Sequence, residues 1–208
     1  MDTYHKIQTI FKRDRNTNKL LPGEWTKPEF QYLAKNQWDF TEKVDGTNVR
    51  VHWDGTNVKF GGRTDNAQMP IPLMERLNER FNSDTFADFS DFGEDTDITL
   101  YGEGYGPKIQ GGGNYREDQD FVLFDVKIAG WWLQRENVCD IATKLSIDVV
   151  PIVGKGTLYE CIELVKPGMQ STWGDFESEG IVARPTTEMC MRDGNRIITK
   201  IKTRDFRA

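Results

Sequence analysis

Segments of strand character lie before, between and after three helical ones, and this order constrains the fold more than any other feature of the sequence. Val49, Val51 and Trp53 alternate with Arg50 and His52, the period of a half-buried strand. Asp54-Gly55-Thr56-Asn57 supplies a turn and Val58-Lys59-Phe60 a return strand, which together make a hairpin. Ile98–Tyr101 and Phe121–Val126 read as buried strands, and Glu179–Ala183 and Arg196–Lys202 as closing ones. Leu73, Leu77 and Phe81 recur every four residues, as on the core face of a helix. Val138, Ile141, Ala142 and Leu145 mark a second helix, and Leu158, Cys161, Ile162 and Val165 a third. A doubly wound sheet would interleave helices with parallel strands. The order seen here predicts an α+β fold with antiparallel sheets flanked by helices.

Composition narrows the function. Of 208 residues, 37% are hydrophobic and 12% aromatic, enough to build a core. No run approaches the ~20 apolar residues of a membrane span. The start, Met1-Asp2-Thr3-Tyr4-His5-Lys6, lacks the apolar stretch of a signal peptide, so a cytoplasmic setting is expected. Only His5 and His52 are present, which excludes a histidine-rich metal site and argues against a Ser-His-Asp triad. Cys139, Cys161 and Cys190 form no CxxC pair and read as reduced, structural thiols.

The net charge of -6 is unevenly spread. Residues 1–35 carry seven basic and four acidic side chains, residues 184–208 seven and three, and residues 75–97 two and eight. Two basic ends around an acidic middle suit either a polyanion met on one face or ordinary solvated surfaces.

Two glycine-rich stretches are weak signals. Gly102-Glu103-Gly104-Tyr105-Gly106 is followed by no helix, and Gly154-Lys155-Gly156-Thr157 lacks the first glycine of a Walker A loop. A series of short blocks is more specific. Glu42-Lys43-Val44-Asp45-Gly46-Thr47-Asn48 sets a lysine between a strand and a glycine turn. Gly62-Arg63-Thr64, Tyr101-Gly102-Glu103-Gly104, Phe121–Asp125, Glu179–Arg184 and Thr199-Lys200-Ile201-Lys202 follow in that order. This succession resembles the motifs of the covalent nucleotidyltransferases, and most of all the ATP-dependent RNA ligases of compact phage and bacterial type. Lys6–Arg13, Gly61–Ala67 and Trp173–Phe176 add to the likeness, which runs from about Tyr4 to Phe206. Asn48 stands where DNA ligases and capping enzymes carry arginine.

The resemblance implies an adenylyltransferase fold (an ATP-grasp-like nucleotidyltransferase) and a definite chemistry. Lys43 would attack the α-phosphate of ATP, with Lys200 and Lys202 stabilising the phosphate. A free lysine has a pKa of ~10.4, so a neighbouring cation would help by disfavouring its protonation. Alternation would turn Lys200 and Lys202 to one face of their strand and Ile201 to the other. Phe124 would stack on adenine, and Glu42 would read the exocyclic amine. Arg63 and Glu103 would contact ribose and phosphate, while Gly46 and Asn48 complete the nucleotide site. Asp45 and Glu179 would position hydrated Mg²⁺ or Mn²⁺, with Glu179 also serving the nucleotide. The expected partners are RNA ends, including nicked or splinted duplexes, in a bacterial or phage-infected cell, with no membrane and an accessory protein left open. Only residues 203–208 follow Lys202, so residues 1–208 are expected to form a single nucleotidyltransferase domain without an OB or other C-terminal domain. Two other readings remain: a minimal DNA ligase or guanylyltransferase, and an inactive nucleotide- or RNA-binding module.

Overall fold

The computed structural model describes residues 2–86, 89 and 97–207. Of the acidic stretch, Asp88, Asp91, Glu94 and Asp95 lie outside the described residues. The chain divides into two units, Met1–Tyr4 with Asp45–Val150, and His5–Val44 with Pro151–Ala208. Within the second unit it runs through β1 (Gln8–Thr9), β2 (Phe11–Arg13), β3 (Leu20–Trp25), α1 (Pro28–Tyr32) and β4 (Trp38–Glu42). The first unit holds β5 (Thr47–Trp53), β6 (Val58–Gly61), α2 (Ile71–Arg80), β7 (Ile98–Tyr105) and β8 (Asp120–Ile128). It then adds β9 (Trp131–Trp132), α3 (Arg135–Lys144) and β10 (Asp148–Val149). The second unit closes with β11 (Ile152–Gly156), α4 (Leu158–Val165), β12 (Gly180–Pro185) and β13 (Thr199–Lys202).

The first unit is a sheet in the order β10-β8-β7-β5-β6, with β9 paired to β8. Val49, Val51, Leu100, Leu123 and Val126 form its core with Leu73 and Leu77 of α2 and Val138 and Ile141 of α3. The second unit holds a sheet in the order β1-β13-β12-β4-β11 and a separate β2-β3 ribbon. Trp38, Phe40, Ile181, Ala183 and Ile201 pack there with Leu158, Cys161 and Val165 of α4. The fold is α+β and chiefly antiparallel, as the strand order predicts; the short edge pairs β1-β13 and β10-β8 are parallel.

Three local expectations need correcting. Arg50 lies on the polar side of β5 yet is fully buried, because its guanidinium bonds Gly62 O at 2.7 Å and Asp65 at 2.8 Å. The strand at Arg196–Lys202 begins only at Thr199, since Ile197 N–H donates to Met189 O instead of joining the ladder. Helix α2 stops at Arg80, and Phe81 turns extended while remaining buried. The weak Gly154–Thr157 pattern is structural. Its glycines belong to β11 and Thr157 caps α4, accepting from Glu160 N–H while the Glu160 carboxylate accepts from Thr157 N–H.

Candidate active site

In the second unit, β12 lies between β4 and β13. Ile181 stands opposite Glu42 on one side and Ile201 on the other, while Gly180 stands opposite Lys202. Residues directly opposed in a ladder share a face. Ile201 and Thr199 are therefore buried, and Lys200 and Lys202 turn half-buried to the other face, as alternation predicts. Lys43 follows β4, and its N–H donates to Gly180 O at 2.9 Å; Thr203 N–H donates to Glu179 O at 3.0 Å. These two bonds hold Glu179 between the nucleophile candidate and the final strand. Gly180 has φ +145°, and a Cβ there would lie 2.0 Å from Ile201 O, so only glycine admits this approach.

The Glu179 carboxylate bridges two ammonium groups. Its Oε2 accepts from Lys43 Nζ at 2.6 Å and its Oε1 accepts from Lys202 Nζ. Burial pushes this carboxyl up, but the Lys43 charge and the hydrogen bonds from Lys202 and Lys43 outweigh it, holding the group below the usual glutamate range. Glu179 thus stays ionised and fixes both amines. The structure brings Lys43, Glu179 and Lys202 into contact, with Lys200 on the same strand face.

Glu42 is placed differently. It shares the core face of Ile181 and is 1% exposed. Ser171 Oγ donates to its Oε1 at 2.6 Å, and Thr172 N–H and Oγ1 each donate to its Oε2 at 2.8 Å. Three of about four lone-pair sites are filled from the 171–172 turn. The sequence gives no pattern for that turn; it is recognisable only once the hydroxyls are seen against the carboxylate.

In the first unit, Asn48 stands opposite Glu103, both half-buried on the face away from the core. The β7-β8 register shifts between Tyr101 and Gly102, which pair with Asp125 and Leu123, leaving Phe124 as an extra residue. This bulge turns Phe124 to the face opposite Leu123 and Val126. Phe124 meets Tyr4 edge-on at 5.0 Å, and Tyr4 OH donates to Asp125 at 2.7 Å. Tyr4 is a neighbour of the proposed platform that sequence reasoning did not single out.

Asp45 is held twice, its N–H donating to Tyr115 OH at 3.2 Å and its Oδ2 accepting from Gly111 N–H at 3.0 Å. Gly111, which supplies that N–H, immediately precedes a 3₁₀ turn at Gly112–Asn114. A Cβ on Gly46 would lie 2.3 Å from Gly104 O and 2.8 Å from Glu103 Cγ. Gly46 is therefore required by close approach to β7. Arg63 is exposed on the turn after β6, and buried Arg50 ties down both sides of that turn through Gly62 and Asp65.

Trp38 is core, with its indole N–H donating to Leu33 O at 2.9 Å. Trp25 packs between Phe11 and Tyr159, and Tyr115 is buried beside Asp45. Trp173 is half-exposed on the turn that Glu42 holds. All three cysteines are free.

Among the described residues no group of three His, Cys, Asp or Glu side chains is arranged to hold a metal ion. Among the same residues no helix is long and apolar enough to cross a membrane.

A model of the RNA ligase family matches residues 36–202. The chain belongs to that family. No curated protein matches the sequence. Among solved structures, a Naegleria gruberi RNA ligase variant with AMP and Mn is similar over 86% of this chain and 53% of that one, at 18% identity and a TM-score of 0.67. Another variant of that ligase, with ATP and Mn, is similar over 97% and 56%, at 16% identity and a TM-score of 0.68. This RNA ligase family member spans about half the length of those chains, and at such identities the likeness shows the shared α+β fold.

Proposed function

We propose that this chain is an ATP-dependent RNA ligase acting as one nucleotidyltransferase domain over residues 1–208, with Lys43 as the covalent nucleophile. The observation that carries the reading is the Glu179 carboxylate fixing Lys43 and Lys202, which lie at opposite ends of the motif series. Once deprotonated, the Lys43 Nζ lone pair forms a bond to the α-phosphorus of ATP. The bond to the bridging oxygen breaks, and pyrophosphate leaves with the electron pair. The Lys202 and Lys200 ammonium groups stabilise the charge that builds on the α-phosphate oxygens. AMP then passes to an RNA 5′-phosphate, and a 3′-hydroxyl displaces it to form the phosphodiester.

The nucleotide roles follow the motif positions. Phe124 stacks on adenine, Asn48, Arg63 and Glu103 serve ribose and phosphates, and Gly46 keeps the backbone close to β7. Glu42 serves the exocyclic amine by its motif position, its carboxylate oriented by the three donors of the 171–172 turn. Asp45 and Glu179 are the residues that would hold hydrated Mg²⁺ or Mn²⁺, which supplies neutralisation of phosphate charge. Glu179 would take part while its two oxygens also receive the Lys43 and Lys202 ammonium hydrogens. The setting is cytoplasmic, in a bacterial or phage-infected cell, and the partners are RNA ends.

Labelling tests this reading. With α-³²P-ATP and Mg²⁺, the denatured protein should carry an acid-labile label that Lys43→Ala lacks. A label from GTP alone indicates guanylyl transfer. No label from either nucleotide indicates a binding module. Sealing of nicked RNA, splinted RNA and nicked DNA by the labelled protein then separates the substrates.

A further inference from the structure

The basic side chains of both end stretches fall in the second unit, and two from each line one groove. It encloses about 550 Å³, and Arg13 and Lys19 line it together with Lys166, Arg204 and Arg207. Among the described residues Asp205 is the one carboxylate lining it, and Arg13 Nη2 binds that group at 2.6 Å. Around the groove, Lys166 lies 3.7 Å from Glu163 and Arg207 pairs with Glu177, both on the surface, where such pairs are weak. Among the described residues Lys19 and Arg204 have no carboxylate partner, and both are exposed. Phe206 adds a half-buried aromatic surface to the wall.

A positively charged concavity on a chain of net charge -6 concentrates anions locally rather than over the whole surface. Cations spaced along an open groove, with one aromatic, fit a backbone of repeated phosphates and intervening bases better than a single compact anion. The groove also continues the chain from the candidate site. The 3₁₀ turn Thr203–Phe206, which carries Arg204, starts directly at Lys202. We infer that this groove docks the sugar–phosphate backbone of the RNA strand being joined. The inference rests on the ligase reading and adds where the substrate lies.

The test uses a 5′-phosphorylated, fluorescent single-stranded RNA without ATP, read by anisotropy between about 50 and 200 mM salt. The variant is Lys19→Glu with Lys166→Glu and Arg204→Glu, three exposed positions with no role in the nucleotide site. Losing three phosphate contacts should weaken binding at least tenfold and lower the slope of log Kd against log salt by about 2. The glutamine triple variant should show a smaller loss in the same direction, with an unchanged melting temperature. Self-adenylylation should stay within about twofold of the unaltered protein. Unchanged RNA affinity and slope in the glutamate variant would overturn the inference, as would undetectable binding by the unaltered chain. Loss of adenylylation in step with RNA binding would also overturn it, by placing the effect at the nucleotide site. Failure of the ligase reading shows separately, as an unaltered protein that takes no label from ATP.

Discussion

Glu179 Oε2 accepts a hydrogen bond from Lys43 Nζ at 2.6 Å, a contact between residues 136 apart in sequence. The same carboxylate receives Lys202 through its other oxygen. One acid therefore sets the positions of the proposed nucleophile and of a phosphate-stabilising cation. Glu179→Gln cannot neutralise two ammonium groups, and Lys202→Ala removes one of them. Each change should lower the single-turnover rate of self-adenylylation by about 10²-fold or more at saturating ATP. A Glu179→Gln protein that labels at the original rate would remove the carboxylate from the account.

The same bridge makes a pH-dependent contribution to stability. The Glu179 carboxyl is held below the 4.5 of an unperturbed glutamate. A depressed carboxyl stabilises the fold above the unfolded value and loses that effect as pH falls through the folded one. At pH 7 the protein should exceed Glu179→Gln by about 2 kcal/mol, below the range for a fully buried pair because the lysines remain 20% and 15% exposed. Urea midpoints should show this gap constant above about pH 4.5 and closing below it. A gap that widens on acidification would contradict the assignment.

Gly180 and Gly194 both have positive φ, at +145° and +83°, but differ in surroundings. Nothing lies within 4 Å of a Cβ built on Gly194, so Gly194→Ala should cost about 1 kcal/mol for the backbone conformation alone. At Gly180 the added carbon meets Ile201 O and Lys202 Cα, so Gly180→Ala should cost about 3 kcal/mol or more. Thermal melting of the two variants checks the order, and equal costs would mean that β12 and β13 can separate cheaply.

Arg50 bonds Gly62 O through Nε and Asp65 through Nη2. A lysine carries one nitrogen and cannot keep both bonds. Arg50→Lys should therefore lose about 2 kcal/mol of stability and weaken ATP binding through the turn that carries Arg63. Denaturant unfolding and ATP titration read the two effects. A variant as stable as the original would show the buried guanidinium to be replaceable.

Much of this was legible in the sequence, for identifiable reasons. The hairpin at Val49–Phe60 and the helices at Leu73, Val138 and Leu158 follow from periodicity and turn chemistry, which are local. The facing of Lys200 and Lys202 away from buried Ile201 follows from alternation. Arg50 was hidden because alternation separates apolar from polar positions and says nothing of a polar side chain buried with its own partners. The bulge at Phe124 depends on pairing between two strands and leaves no local signature. The hydroxyls of Ser171 and Thr172 on Glu42, and the hold of Tyr115 on Asp45, join residues 70 to 130 positions apart, beyond any window of periodicity.

Every step proposed for the site depends on one amine becoming bonded to adenylate. Intact-mass spectrometry after incubation with ATP and Mg²⁺, followed by peptide mapping, reads it directly. A single AMP adduct is expected on the peptide containing Lys43, removed by acid and by added pyrophosphate. An adduct confined to any other lysine, or an unmodified Lys43 peptide in a protein that still seals RNA, would contradict it.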